Sequence, residues 1–183
     1  MSPLGHNITA LAMAATTMRL CDVPFDQGIS SLPTVMMAGN AVNVDHFAFV
    51  TLVALGMLLG ARGPDRLEIP SFNRRTQTRS SVIPHRTLTH WPLFWVFLSG
   101  LCVWTWSDSQ DLLLYVITSF GLGFCASGWL HLAMDIMTPA GIPLLSPFGS
   151  RSSLNLYRTS MKGCRLTGEW LCILLFVTAC QLF

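Results

Sequence analysis

Charge is what this sequence has least of. Asp, Glu, Lys and Arg make up 11% of its 183 residues, against roughly 25% in an ordinary soluble domain. Apolar residues make up 51% and the mean hydropathy is +0.51, so a soluble globular domain is excluded and a helical bundle in lipid is expected. The net charge of +2 is too small to attract nucleic acid, and no nucleic-acid partner is expected. The six cysteines (Cys21, Cys102, Cys125, Cys164, Cys172 and Cys180) include no C-x-x-C pair, which removes the zinc-ribbon and dithiol redox classes and leaves free structural thiols. A basic region ahead of the first apolar run is also missing, because the first arginine is Arg19, and no cleavable leader is expected. Neither an internal repeat nor a low-complexity segment is present.

Apolar runs cover residues 6–20, 47–61, 91–106, 112–137 and 170–183. They read as an all-α, polytopic membrane bundle of about five transmembrane helices in a single integral membrane domain, residues 1–183. Several runs fall short of the roughly 17–25 residues of a full span, so tilt or a locally thin bilayer has to make up the difference. The longest, 112–137, carries Gly121, Gly123, Ala126 and Gly128, small residues that let helices approach closely in lipid, and is expected at the centre. Residues 21–45 contain Asp22, Asp26 and Asp45 but no Lys or Arg. They read as an irregular loop with a re-entrant or helical piece around residues 32–37. Gly63-Pro64 is a stop signal after the second run.

Ten of the eleven basic residues lie in 62–86 and 151–165, and none lies in 21–45 or 107–111. The positive-inside rule makes the first pair of loops cytoplasmic, with the amino terminus inside. Alternating spans then bring His6, Asp65, Glu68, His85, His90, His131 and Asp135 to the same, cytoplasmic, side. His46 falls at the opposite end of the second run.

The stretch Pro84-His85-Arg86-Thr87-Leu88-Thr89-His90-Trp91-Pro92 holds two of the five histidines. On one continuous helix His85 and His90 would point about 140° apart. A helix starting near Thr89 as N-cap, with Pro92 in its first turn, supplies the break that lets both reach one site. His131 and Asp135 are four apart, about 40° around a helix, and stand one above the other on one face. A carboxylate in a helix of Leu, Ala, Met and Trp costs about 2.5–3.5 kcal/mol at the bilayer centre and demands a partner or a function.

His85-Arg86-Thr87-Leu88-Thr89-His90 and the stretch from His131 through Asp135-Ile136-Met137-Thr138-Pro139-Ala140-Gly141-Ile142-Pro143 resemble the two signature stretches of the YdjM-like family. These are LexA-regulated inner-membrane proteins predicted to be metal-dependent hydrolases. The opening Gly5-His6 is similar to the family's amino-terminal Gly-His, and Pro64-Asp65 to the start of its Leu-Pro-Asp-x-Asp-His motif. Leu67 stands where that motif has its second aspartate, Ile69 where it has histidine, and Thr87 where a glycine follows His-Arg. The resemblance covers residues 1–145 and implies a metal-dependent hydrolase in the bacterial inner membrane.

The expected chemistry is a divalent metal, zinc first and manganese or iron next, held by His85, His90, His131 and Asp135, with His6 and Asp65 beside them. Glu68 is the expected general base, and Arg86 the residue expected to grip a phosphate. Membrane lipid is the expected partner, and a lipid or other phosphodiester the expected substrate class. The rival readings are a non-catalytic assembly or regulatory factor with a structural metal, a haem-binding bundle and a transporter.

Overall fold

The computed structural model describes residues 3–20, 34–37, 40–43, 46–68, 70–73, 78–81, 83, 86–108, 111–156, 170–171 and 173–179. Helices dominate: α1 (Pro3–Leu20), α2 (His46–Gly60), the short α3 (Gly63–Leu67), α4 (Pro92–Asp108) and α5 (Leu112–Ile136). The residues at 170–171 and 173–179 are helical as well. Three two-stranded antiparallel hairpins decorate the helices: β1 (Thr34–Met37) with β2 (Asn40–Asn43), β3 (Pro70–Asn73) with β4 (Thr78–Ser81), and β5 (Ile142–Pro143) with β6 (Arg151–Ser152).

α5 lies at the centre and packs against α1, α2 and α4, as its small residues predict. A Cβ on Gly123 would strike the carbonyl oxygen of Val53, and one on Gly56 that of Phe120. The α2 and α5 backbones therefore approach to a separation that only glycine allows. Gly128 gives its space to the Trp95 ring, which is fully buried with Cys125, Leu132 and Ile142. A second apolar cluster, Ala14, Val53, Ala54 and Met57, joins α1 to α2.

The burial pattern is turned inside out. Ser119, Ser127, His131 and Asp135 are buried on α5, while Leu93, Val96, Phe97 and Trp104 of α4 and Leu113 and Ile117 of α5 are exposed. Water would reject such a surface and hydrocarbon would accept it. Among the described residues, Leu112–Ile136 alone is long and apolar enough to cross a bilayer by itself, and Ala48–Gly60 and Pro92–Ser107 are shorter apolar helices. Among the described residues, one long and two shorter apolar helices thus match three of the five runs read as spans, and α1 and the helical residues at 170–171 and 173–179 fall on the other two.

Local departures from the sequence reading have local causes. Residues 34–37 form a strand paired with 40–43, not a helical or re-entrant piece; Val35 pairs with Val42, and β-branched residues suit an extended backbone. Within 62–86, Pro64 sits in the first turn of α3, so Gly63-Pro64 starts a helix as well as ending one. Thr89 does not cap α4. It belongs to a 3-10 turn, Leu88–His90, and α4 begins directly at Pro92, where a missing N–H costs nothing. The cap that does form is on α5, where Asp111 accepts from the N–H groups of Leu113 at 2.7 Å and Leu114 at 3.4 Å.

Candidate metal centre

Four chain segments deliver polar side chains to one buried point. His6 comes from the first turns of α1, Asp65 from α3 just beyond α2, His90 from the 3-10 turn before α4, and His131 and Asp135 from the last turns of α5. Asp135 Oδ2 lies 3.4 Å from His90 Nε2 and 3.5 Å from His131 Nε2, and Asp65 Oδ1 lies 3.5 Å and 3.8 Å from the same two nitrogens. Donors arranged tetrahedrally at about 2.0–2.1 Å from a metal stand about 3.3–3.4 Å apart. The four histidine–carboxylate separations, 3.4–3.8 Å, are close to that. Two donor groups within 4.8 Å can be drawn here, Asp65, His90 and His131, and His6, His131 and Asp135.

The histidines are held from behind. Nδ1 of His131 is 2.9 Å from the Ala61 carbonyl oxygen. A carbonyl can only accept, so Nδ1 carries the proton and the Nε2 lone pair points into the site. That Nε2 is buried without a hydrogen-bond partner among the described residues. Nδ1 of His90 faces Glu68 Oε1 at 3.3 Å, again leaving Nε2 toward the carboxylates. Metal-binding histidines characteristically give their other N–H to a carbonyl or carboxylate, which fixes tautomer and ring direction.

His6 stands apart from this set. Its ring stacks on His131 with centroids 3.8 Å apart and planes 7° from parallel, and its Nε2 lies 3.8 Å from Asp135 Oδ1. An imidazole binds a metal in its own plane. The stacking turns His6 away from the Asp65, His90 and His131 group, and with His131 and Asp135 it forms the second group.

Arg86 reaches the other oxygen of Asp135, with Nη2 3.0 Å from Oδ1. Its Nη1 donates to Thr138 Oγ1 at 3.2 Å and to the Gly141 carbonyl at 3.1 Å, and its own N–H donates to Glu68 Oε1 at 2.9 Å. The backbone of Arg86 is left-handed, with φ 57°, a conformation uncommon outside glycine and stabilised here by these bonds. Gly141, at φ 58°, is a glycine where a Cβ would strike the Ser152 carbonyl.

The charges support one another. Burial alone would raise the Asp65 carboxyl, but its bond to His90 and the nearby imidazoles outweigh that and hold it at about 2. Burial likewise lowers the His90 pKa, yet bonds and charges from Asp135 and Asp65 win, and the ring titrates above its ordinary value. A positive charge between those carboxylates is what the site favours, whether proton or cation.

The model of the YdjM inner membrane protein family matches residues 1–183. The chain belongs to that family. No curated protein and no solved structure matches it.

In this YdjM-family chain, His6, Asp65, Glu68, Arg86, His90, His131 and Asp135 are brought together, and His85 lies outside the described residues. His46 opens α2, at the far end of that helix from Asp65. Two expected roles meet a different geometry. Glu68, expected as a general base, is 5% exposed and sits behind His90, away from its Nε2. Arg86, expected on a phosphate, is engaged with Asp135, Thr138 and Gly141. Sequence reasoning missed Thr138, which also donates to the Asp135 carbonyl at 2.8 Å. The Thr138-Pro139 pair following a helix was the available signal, because threonine bonds back to a helix's last carbonyls. The Ala61 carbonyl has no sequence signal at all.

Proposed function

We propose that this chain is a metal-dependent hydrolase embedded in the bacterial inner membrane and working at its cytoplasmic surface, on a lipid headgroup phosphodiester or related ester. The observation that supports it most is the set of four donors, Asp65, His90, His131 and Asp135, with both histidine Nδ1 atoms engaged from behind. Two imidazoles and two carboxylates suit zinc, and manganese or iron next. A bound cation of this kind supplies Lewis-acid polarisation of a phosphoryl or acyl oxygen and lowers the pKa of water.

The chain's own residues divide the remaining work. Glu68 and the Ala61 carbonyl orient His90 and His131. Arg86 occupies one oxygen of Asp135 so that the other faces the histidines, and offsets the charge of a buried carboxylate. Asp65, with a side chain 42% exposed, is the open side, where a substrate would approach. Length supports this location: the 25 residues of α5 rise about 37 Å, more than the roughly 30 Å hydrocarbon core. A helix entering near Leu112 would bring His131 and Asp135 to the opposite interface. The ten basic residues in the loops at that end argue for the cytoplasmic face.

One feature favours a second reading. If Asp65, His90, His131 and Asp135 all bound one ion they would fill a tetrahedral set, which is usual for structural zinc, whereas catalytic zinc usually keeps one position open. A non-catalytic membrane factor with a structural metal is that alternative. Metal analysis of detergent-purified protein, followed by hydrolysis assays on phosphodiester and ester lipids in vesicles, decides between them. About one divalent ion per chain, lost in His90→Ala and His131→Ala but kept in His46→Ala, is expected together with turnover. Metal without turnover would favour the structural role, and equal metal in all variants would remove the site.

A further inference from the structure

The segment that follows α5 is fastened to the metal site at one end and bare at the other. Its root is well tied: the Leu154 and Leu156 N–H groups bond to the Ile136 and Met137 carbonyls at 2.8 and 2.9 Å, closing the end of α5, and Arg86 holds the Gly141 carbonyl. The hairpin β5–β6 then projects a tip, residues 144–150, that carries apolar side chains outward. Leu145 is 91% and Phe148 77% exposed, and Leu154 and Leu156 are exposed at the root. A tip that served only as a turn would be polar.

The tip lies where a bilayer would meet it. Trp91 Nε1 donates to the Leu144 carbonyl at 3.2 Å, which pins the hairpin to the start of α4. Within two turns of that point α4 presents Leu93, Val96 and Phe97, all exposed, so exposed apolar side chains stand both on the start of α4 and on the hairpin pinned to it. Indole rings settle at membrane interfaces, which puts the pinned tip at headgroup level. Arg151, exposed on the same hairpin, adds a basic group where headgroups carry phosphate.

From this juxtaposition we infer that the β5–β6 hairpin is a membrane-interface anchor, in which Leu145 and Phe148 insert at the boundary between headgroups and acyl chains beside the metal site. The anchor rests on the membrane placement of α4 and α5 and not on hydrolysis. It deepens the functional reading by fixing the substrate class as one presented by the bilayer: the loop that carries Thr138 and Gly141 into the site also holds the lipid surface against it.

The test uses full-length protein with its native cysteines replaced, carrying Leu145→Cys, Phe148→Cys or Ser150→Cys, each labelled with an environment-sensitive fluorophore. The proteins are reconstituted in vesicles of phosphatidylethanolamine and phosphatidylglycerol. Lipids carrying a nitroxide high on the acyl chain should quench the labels at 145 and 148 several-fold more than the label at 150, with aqueous iodide giving the reverse order. Equal iodide access at all three positions would overturn the anchor. So would protection of 145 and 148 from both quenchers, since that means a protein cover. Leu145→Ser with Phe148→Ser should retain metal content and thermal stability in detergent while losing lipid quenching at a label on position 146; unchanged quenching there would also overturn it. None of these readouts depends on turnover, so an inactive protein would leave the anchor standing and sink only the hydrolase reading.

Discussion

Glu68 Oε1 stands 3.3 Å from His90 Nδ1, on the side of the ring opposite the nitrogen that faces Asp135 and Asp65. The same oxygen accepts the Arg86 N–H at 2.9 Å and the Thr89 hydroxyl at 3.4 Å. One buried carboxylate thus sets the direction of a ring and the conformation of the residue four positions before it.

Glu68→Gln tests that role. An amide can still accept on one oxygen, but it lacks the charge that makes the imidazole a better donor to a cation, and losses of this kind typically weaken metal binding 10- to 100-fold. Competition against a chromophoric chelator measures it. A variant that keeps full metal affinity and loses only turnover would return Glu68 to the role of a base.

Metal binding should depend on pH with a definite sign. His90 titrates above its ordinary 6.5 while Asp65 is already ionised above about 2, so a cation entering the site competes with a proton on His90. Affinity should therefore fall as the pH drops through the raised His90 value. The metal-free protein moves oppositely: the stability contributed by this raised pKa is complete below the ordinary value and lost as pH rises through the raised one. The gain in melting temperature on adding zinc should thus widen from about pH 6 to about pH 8. A gain independent of pH would argue against His90 as a donor.

Arg86→Ala leaves Asp135 Oδ1 without its guanidinium. Removing one partner of a buried pair costs about 3–5 kcal/mol, and Asp135 is almost wholly buried. Because a cation in the site would take over part of the neutralisation, the variant should gain more thermal stability from zinc than the parent does. Arg86→Lys should recover only part of the loss, since a single ammonium cannot reach Asp135, Thr138 and Gly141 together in the guanidinium's forked geometry. Identical zinc responses in parent and variant would separate Arg86 from the site.

Gly123→Val tests the close approach of α2 and α5. The added side chain meets the Val53 backbone, and overpacking of this kind costs about 1–3 kcal/mol or more where backbone must move. Thermal unfolding in detergent measures it. Gly100→Ala is the control, because nothing lies within 4 Å of a Cβ there.

The sequence was most informative where chemistry is costly. Asp135 in an apolar helix, one turn from His131, had to have a purpose, and the distribution of arginines predicts that the four segments carrying the site residues share one side. The central position of α5 was readable from its glycines. Finer geometry was not. The stacking of His6 on His131, the acceptance of His131 Nδ1 by the Ala61 carbonyl and the left-handed turn at Arg86 depend on three-dimensional juxtaposition, and residue type alone does not encode them. Thr89 reads as a helix cap, but its hydroxyl faces His90 and Glu68 and it lies in the 3-10 turn Leu88–His90. The shortness of α2 and α4 was legible, because runs 47–61 and 91–106 already fall below the length of a full span.

The Arg86–Asp135 contact also bears on how the chain is made. Arg86 precedes α4 and Asp135 ends α5, so the two charges are the outer ends of one helical hairpin, residues 86–135, and meet when that hairpin closes. As the chain emerges from its amino end, the carboxylate reaches the membrane after its counter-charge has been synthesised, and its cost on insertion is shared from the outset. His6 and Asp65 lie earlier still in the chain, so Asp135 is the last of the site's carboxylates and imidazoles to be made, and a chain stopped before it would lack the carboxylate that Arg86 holds.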